Sequence, residues 1–275
     1  MKTITNLALL FGCILAVAGI DAKIQWLKFD YRPFRPIVSD LKEIKFDYIV
    51  LNEKRVNATI GGHYPIMDLQ AEGDHHAQVG IFGLGLNRLQ IKDGFAFDLN
   101  SYDAVFGAYA DYRVGQLGFT FRYAHTSTHL SEGYYKSNNE ETSAFRYSRE
   151  HLQLISDYHF KLSVFDLRLL AGFTWVNASV SPVDIRDAFL IGMQTGLEIE
   201  LPTVGVFRPF FSALFYAQTE NNYRVNKSLA FGVKINGDSV GSFRLIAHYF
   251  EGIDPRGNFY LKNTEFWGAG IAYYF

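Results

Sequence analysis

The chain has 275 residues, a formal net charge of −2 and a hydrophobic fraction of 48%. The near-neutral charge gives no reason to expect nucleic acid or another polyanion as a partner. Beyond the N-terminus there is no uninterrupted apolar run of about 20 residues, the length that a membrane-spanning helix needs, so a helical membrane protein is excluded. The chain contains 25 Phe and 17 Tyr, and this aromatic composition favours β-strands.

The N-terminus has the features of a secretory signal peptide. Lys2 supplies the positive start, residues 7–17 form an apolar core, and small residues favour cleavage after Ala18 or Ala22. The only cysteine, Cys13, lies within this core. We therefore expect the mature chain to have neither disulfides nor thiolate metal ligands.

The rest of the chain divides into an irregular segment and a long alternating one. Residues 23–43 have no regular hydrophobic period and contain Pro33 and Pro36, so we predict a periplasmic segment that leads into the first strand. From residue 44 to 275, apolar residues alternate with polar or small ones, although less clearly over residues 44–91. We predict about twelve strands, over residues 44–53, 55–70, 75–91, 97–114, 117–131, 145–161, 163–178, 187–202, 205–219, 223–236, 240–252 and 261–275.

The segment from Leu117 to Leu130 indicates what the two faces of these strands contact. One face is large and aromatic at Phe121 and Tyr123, whereas the other is small or polar and carries Arg122. An apolar outer face around a wet interior is the pattern of an outer-membrane barrel. We therefore predict an all-β fold, a transmembrane antiparallel β-barrel of about 12 strands in the bacterial outer membrane. The charged residues predicted to face the lumen and to fill much of it are Arg122, Arg168, Glu198, Arg224 and Arg244.

The connections and the C-terminus support the barrel. With the C-terminus placed in the periplasm, the periplasmic turns are short, and external loops such as residues 131–143 and 177–186 are long and polar. The chain ends in Phe275, with apolar residues at alternating positions before it. This ending resembles the C-terminal signature of bacterial outer-membrane barrels, which implies recognition by the barrel-assembly machinery.

Several short motifs resemble a family of bacterial outer-membrane proteins of unknown function. They are FRPIVSD at residues 34–40, Asp111-Tyr112, HTSTHL at residues 125–130 and YSRE at residues 147–150. The family pattern is approximately HxSSHLGDE followed by YSRE, and this chain departs from it at Thr128 and at residues 131–133. The resemblance covers most of the mature chain and implies location and fold, but no activity.

The tripeptide His125-Thr126-Ser127 also resembles the HxS strand motif of outer-membrane phospholipase A and of the lipid A deacylase. Both are barrels that hydrolyse acyl esters at their lipid-facing surface, and the phospholipase is similar in strand number. These families usually place Asn after the motif Ser, where this chain has Thr128. The resemblance implies a serine-type acyl hydrolase that acts on phospholipid or on the lipid A of lipopolysaccharide.

Strand geometry brings the candidate catalytic residues together on the outer face. Residues i and i+2 lie about 7 Å apart on one face, so His125 is within reach of the Ser127 hydroxyl. We predict Ser127 as the nucleophile and His125 as the general base. Glu150, on the outward face of the next strand, is the first choice for the third member. The alternates are Asn139, Glu132 and His129.

Other interpretations of the same residues stay open. A polar step above an aromatic belt is common to barrels where a strand leaves the hydrocarbon. His125 and His129 share a face and are candidates for binding a divalent cation, but no third ligand is evident, so we predict no metal site. Ca²⁺ is the only candidate cofactor. The hypotheses are therefore lipid acyl hydrolysis and a non-enzymatic barrel, either a narrow channel or a structural surface protein, and the sequence does not predict the oligomeric state.

Overall fold

The computed structural model describes residues 22–52, 54–92, 96–131, 134, 147–180, 190–219, 222–235, 241–259 and 262–275. The described part of the chain contains thirteen β-strands. They are β1 Ala22–Trp26, β2 Lys45–Leu51, β3 Arg55–Ala71, β4 His75–Ile91, β5 Phe97–Val114, β6 Leu117–Leu130, β7 Tyr147–Leu162, β8 Phe165–Val180, β9 Leu190–Glu200, β10 Phe207–Gln218, β11 Asn226–Ile235, β12 Ser242–Ile253 and β13 Asn263–Tyr274. No helix within these described ranges is long and apolar enough to cross a membrane.

Strands β2 to β13 form a closed antiparallel barrel. Each strand pairs with its neighbours in the chain, and the last strand pairs with the first from Gly268 opposite Leu51 to Tyr274 opposite Lys45. Closure gives every barrel strand a partner strand on both sides and so removes the two free edges of an open sheet. The extra strand, β1, pairs with the far end of β3 from Ala22 opposite Ala71 to Trp26 opposite Met67.

The sequence-based prediction of the strands is confirmed. All twelve predicted barrel strands are present, and their bounds agree with the structure to within three residues. The agreement includes residues 44–91, where the alternation is weakest. The β5–β6 hairpin turns over Gly115 and Gln116, and Gly115 adopts a φ of 54°, in the left-handed region that glycine enters without steric cost.

The two-face prediction also holds. On β6, Phe121 and Tyr123 are 36% and 42% exposed, whereas the alternating residues Thr120 and Arg122 are buried. The same inversion recurs around the barrel, where large apolar side chains lie on the outside and charged side chains lie within. A water-soluble sheet has the opposite arrangement on its solvent face.

The segment before the first barrel strand fills the lumen, a placement that the sequence analysis did not predict for residues 23–43. Residues 28–44, here called the plug, include Phe34 and Ile37, which are fully buried against inward-facing apolar residues of the wall. The plug contains Pro33 and Pro36 and is neither helix nor strand. It therefore has no regular hydrophobic period from which its placement could be predicted.

Inward charges of the wall bind the plug. Arg122 contacts Glu43 at 3.1 Å, and Arg32 forms an ion pair with Asp111 at 2.9 Å. Wall side chains also satisfy the irregular plug backbone, because Arg168 donates to the carbonyl of Pro36 at 2.9 Å. Buried backbone groups need hydrogen-bond partners, and the plug has no regular ladder to supply them. Side chains of the wall supply such partners instead.

A second segment covers the other end of the lumen. Residues 254–259, here called the cap, lie between β12 and β13 at the end of the long connections. The amide of Gly257 donates to Asp103 at 2.9 Å, and Arg88 forms an ion pair with Asp254 at 2.9 Å. The lumen is thus occupied from one end by the plug and covered at the other by the cap.

Glu43 is the centre of the plug network, the set of ion pairs and hydrogen bonds between the plug and the wall. Its carboxyl group makes the stability of this network depend on pH. Burial alone would raise the pKa of Glu43, but Arg122, Arg32 and the amides of Ile37 and Ile44 outweigh it and lower the pKa to about 2. The folded pKa lies below the ordinary value of 4.5, so this stabilisation is complete above that pH and is lost as the pH falls towards 2.

The substitution Glu43→Gln is expected to lower the free energy of unfolding by about 3 kcal/mol at neutral pH. It removes the carboxylate that pairs with the buried Arg122 and one of the two carboxylates beside the buried Arg32. Urea unfolding of the refolded protein in detergent measures the change. The matched control is Glu265→Gln, which alters an exposed carboxylate on the outer face.

The difference between wild type and Glu43→Gln is further expected to shrink as the pH falls from 4.5 towards 2, as the wild-type carboxylate becomes protonated. A difference that stayed constant over this pH range would contradict the role of the Glu43 charge. Equal stabilities of Glu43→Gln and Glu265→Gln would contradict the importance of the network.

Candidate functional site on the outer face

The predicted site residues lie on the outer face of two neighbouring strands. In the antiparallel register of β6 and β7, His125 stands directly opposite Glu150, and Ser127 stands opposite Ser148. Directly opposite residues of an antiparallel pair share a face, with Cβ atoms about 5 Å apart. The structure therefore brings together Ser127, His125 and Glu150.

The carboxylate of Glu150 orients one of the two histidines. Its Oε1 atom is hydrogen-bonded to Nδ1 of His125, and its Oε2 atom accepts a hydrogen bond of 2.6 Å from the hydroxyl of Tyr123. Since Nδ1 is engaged, Nε2 is the nitrogen of His125 that is left to exchange a proton with another group. The Phe106 ring lies 4.9 Å from the imidazole and packs against it.

Ser127 is hydrogen-bonded to the other histidine. Its Oγ atom lies 3.2 Å from Nε2 of His129, so the predicted contact with His125 is not the one that the structure contains. His125 and His129 precede and follow Ser127 by two residues on the same face of β6.

The wall around Ser127 is made of small residues. Ala104 of β5 and Ser148 of β7 stand opposite Ser127 on its two sides. Neither side chain extends far from the sheet, whereas Phe106 and Tyr123 do so nearby and are exposed. The side chains directly beside Ser127 on the two neighbouring strands are therefore small, and exposed aromatic rings lie nearby.

The remaining predicted residues have mixed outcomes. Glu132 and Asn139 lie outside the described residues. Arg224 is not in the lumen: it is exposed in the connection before β11, because that strand begins at Asn226 and not at residue 223 as predicted. The four other predicted lumen charges, Arg122, Arg168, Glu198 and Arg244, point inwards.

Sequence reasoning missed one member of the cluster, Tyr123. It was interpreted only as part of an aromatic belt, although its position two residues before His125 places it on the same face, next to Glu150. In the described ranges, no group of three or more His, Cys, Asp or Glu residues lies together as a metal site would require. The described chemistry is thus that of a hydroxyl, two imidazoles and one carboxylate.

Fold and site together define a closed twelve-stranded barrel that carries a polar cluster on its outer face, and the fold resembles that of outer-membrane barrels. A family model described as "Protein of unknown function (DUF1207)" matches residues 44–275. The chain belongs to this family. No curated protein matches the sequence.

Solved structures are similar in fold at low sequence identity. Outer membrane phospholipase A from Escherichia coli has a TM-score of 0.49 and 11% identity, covering 89% of this chain and 91% of that one. The β domain of the Bordetella autotransporter BrkA has a TM-score of 0.45 and 14% identity, covering 84% and 97%. The anion-selective porin from Comamonas acidovorans has a TM-score of 0.36 and 9% identity, covering 93% and 100%. These are likenesses of fold alone.

The outward orientation of Ser127 is open to direct test, because Cys13 is the only cysteine in the chain. In a background with Cys13→Ser, the thiol of Ser127→Cys is expected to react readily with a small maleimide. Thr126→Cys is the matched control, since Thr126 is only 7% exposed and faces the lumen, and it should react at a small fraction of that rate. Equal labelling rates would contradict the assignment of the two faces.

Proposed function

We propose that the chain is an integral protein of the bacterial outer membrane. The support is the outer surface, where large apolar side chains such as Phe106, Leu154 and Met193 are about half exposed on strands that enclose a charged interior. Lipid is the solvent that such a surface fits, because exposure of contiguous apolar area to water is strongly unfavourable.

We further propose that the cluster on β6 and β7 hydrolyses lipid acyl esters at the membrane surface, with phospholipid or lipopolysaccharide as substrate. The observation that carries this proposal is the hydrogen-bonded pair of His125 and Glu150 beside the outward hydroxyl of Ser127. An imidazole whose one nitrogen is bound to a carboxylate is oriented to accept a proton at the other.

In the proposed reaction, Ser127 Oγ attacks the ester carbonyl carbon and transfers its proton to Nε2 of His125. The resulting tetrahedral intermediate collapses, the bond to the alcohol oxygen breaks, and the alcohol leaves with the proton from His125. His125 then takes a proton from water as the water oxygen attacks the acyl carbon. The bond between the acyl group and Ser127 breaks, His125 returns the proton to Ser127 Oγ, and the fatty acid leaves. Glu150 stabilises the imidazolium that forms in each half-reaction, and Tyr123 holds Glu150 in place.

The hydrogen bond between Ser127 and His129 fits a resting arrangement. In the proposed reaction, rotation about χ1 of the serine moves the hydroxyl from His129 towards His125. The small side chains of Ala104 and Ser148 beside Ser127 favour access of an acyl ester, and the exposed rings nearby would contact its chain.

Fatty acid release from phospholipid and from lipopolysaccharide by the refolded protein tests the activity. We expect Ser127→Ala to abolish release and His125→Ala to lower kcat by about 10²- to 10⁴-fold. The matched control is Ser156→Ala, which removes an outward hydroxyl of β7 far from the cluster. Inactive wild type that is correctly folded would overturn the proposal, and a greater loss in His129→Ala than in His125→Ala would overturn the choice of base.

Ca²⁺ is retained as a proposed cofactor without an assigned step. Within the described ranges, no three or more His, Cys, Asp or Glu residues lie together, so we assign no ligands to the ion. Repeating the assay with Ca²⁺ and with a chelator decides whether the ion is required.

A second candidate function is that of a non-enzymatic structural barrel of the outer membrane. The plug and the cap favour it over an open channel, because they occupy the lumen from one end and cover it at the other. In this class the cluster at His125 would be an interfacial strand end, and the lumen network would serve only stability.

The closed lumen predicts the electrical behaviour of the protein. In planar lipid bilayers, wild type is expected to give no steady single-channel conductance. The double variant Arg32→Ala with Glu43→Ala removes two buried charges that anchor the plug and should produce fluctuating openings. A steady conductance in wild type would contradict occlusion by the plug and favour a narrow channel.

We also propose that Phe275 contributes to recognition by the barrel-assembly machinery. Its ring packs against Phe46 at 5.3 Å and Tyr273 at 5.2 Å between ring centroids, at the seam where the last strand meets the first. In this proposal, the assembly machinery binds Phe275 and so holds the final strand until that strand pairs with β2 and closes the barrel.

A further inference from the structure

A second polar site lies inside the barrel, at the end that carries the short turns. A cavity of about 380 Å³ separates the plug from the wall there. Among the described residues that line it, the cationic side chains are Arg32, Arg35, Arg168, Arg208, Lys234 and Arg244, and the carboxylates are Asp166, Glu198 and Glu200.

Two of these cations are neutralised by carboxylates that lie behind the cavity lining. Arg32 pairs with Asp111 at 2.9 Å, and Arg168 pairs with Asp157 at 2.8 Å. These two arginines belong to the network that holds the plug. The excess positive charge of the cavity therefore comes from the other cationic side chains that line it.

Three of these other cations surround a single carboxylate, that of Glu200. It lies 3.1 Å from Nε of Arg208, 3.6 Å from Nζ of Lys234 and 4.0 Å from Nη2 of Arg244. Arg208 also pairs with Asp166. Within the described ranges, Lys234 and Arg244 have no other carboxylate at ion-pair distance, although both are more than 90% buried.

Arg244 is held in place by contacts that leave it able to bind an anion. Its guanidinium lies 4.8 Å from the ring centroid of Phe210 and 5.0 Å from that of Tyr274. These rings fix the plane of the group without neutralising it. Arg35 of the plug adds an exposed cation at the same cavity, and its backbone carbonyl is fixed by a 2.6 Å hydrogen bond from Arg168.

Buried cations are costly unless an anion compensates them. Among the described residues, Lys234 and Arg244 have one carboxylate between them, and they share it with a third cation, so their compensation is incomplete. Planar guanidinium groups and a lysine ammonium are the side chains that best match the several oxygens and double charge of phosphate. We propose that this cavity binds a small phosphate-type dianion between Lys234, Arg244 and Arg35. It lies on the inner face of the wall, so its test is independent of lipid hydrolysis at Ser127.

The experiment is calorimetric titration of the refolded full chain with inorganic phosphate, in a non-ionic detergent and at constant ionic strength set with chloride. We expect saturable binding that Lys234→Met weakens about tenfold by removing one charge-assisted contact. The matched control is Lys227→Met, the same substitution on the same strand but at an exposed position, which should leave binding unchanged. Arg35→Gln should also weaken binding, and its exposed position makes loss of folding a poor explanation.

Absence of saturable phosphate binding to wild type would overturn the proposal. Equal affinities of Lys234→Met and Lys227→Met would also overturn it, because the bound phosphate would then lie elsewhere. Glucose 6-phosphate, titrated in parallel, establishes whether the cavity accepts a phosphate monoester as well as the free ion. Sodium chloride at matched ionic strength gives the non-specific contribution to the measured heat.

Discussion

The pairing of β2 with β13 is the contact on which the rest of the structure depends, since it converts an open sheet into a barrel. It is made by the shortest strand of the barrel wall, with seven residues against the seventeen of β3. β2 covers only Arg55 to Ile60 of β3, and β1 covers Met67 to Ala71 on the same side. Two short strands therefore share one position in the wall.

The plug is the chain that connects those two strands. It leaves the wall after Trp26, runs through the lumen and returns at Lys45, so it is tethered at both ends by sheet hydrogen bonds. A tail tethered at one end would be free to leave the lumen as a unit. A loop tethered at both ends has to break its ion pairs or a strand pairing to move, and this makes occlusion a stable property of the fold.

Strand pattern was sufficient to predict the wall but not what fills it. The period of two in β6 assigns Arg122 to the inside and Tyr123 to the outside, and the structure agrees. The same pattern predicted inward charges but not what they bind. The plug has no period, and Arg122 binds Glu43, which is 79 residues away in sequence. Contacts of this kind depend on tertiary structure, which local patterns do not encode.

The outer site divides in the same way. The pairing of His125 with Glu150 was predictable, because strand order and face placed both on adjacent strands with the same orientation. The hydrogen bond of Ser127 with His129 was not predictable, because both histidines lie two residues from Ser127 on the same face. Two neighbouring residues of β6 thus make contacts on opposite faces of the wall. Arg122 binds the plug on the inside, and Tyr123 donates a hydrogen bond to Glu150 on the outside. A change in the plug that shifts the backbone at Arg122 would reach the outer cluster through a single peptide bond.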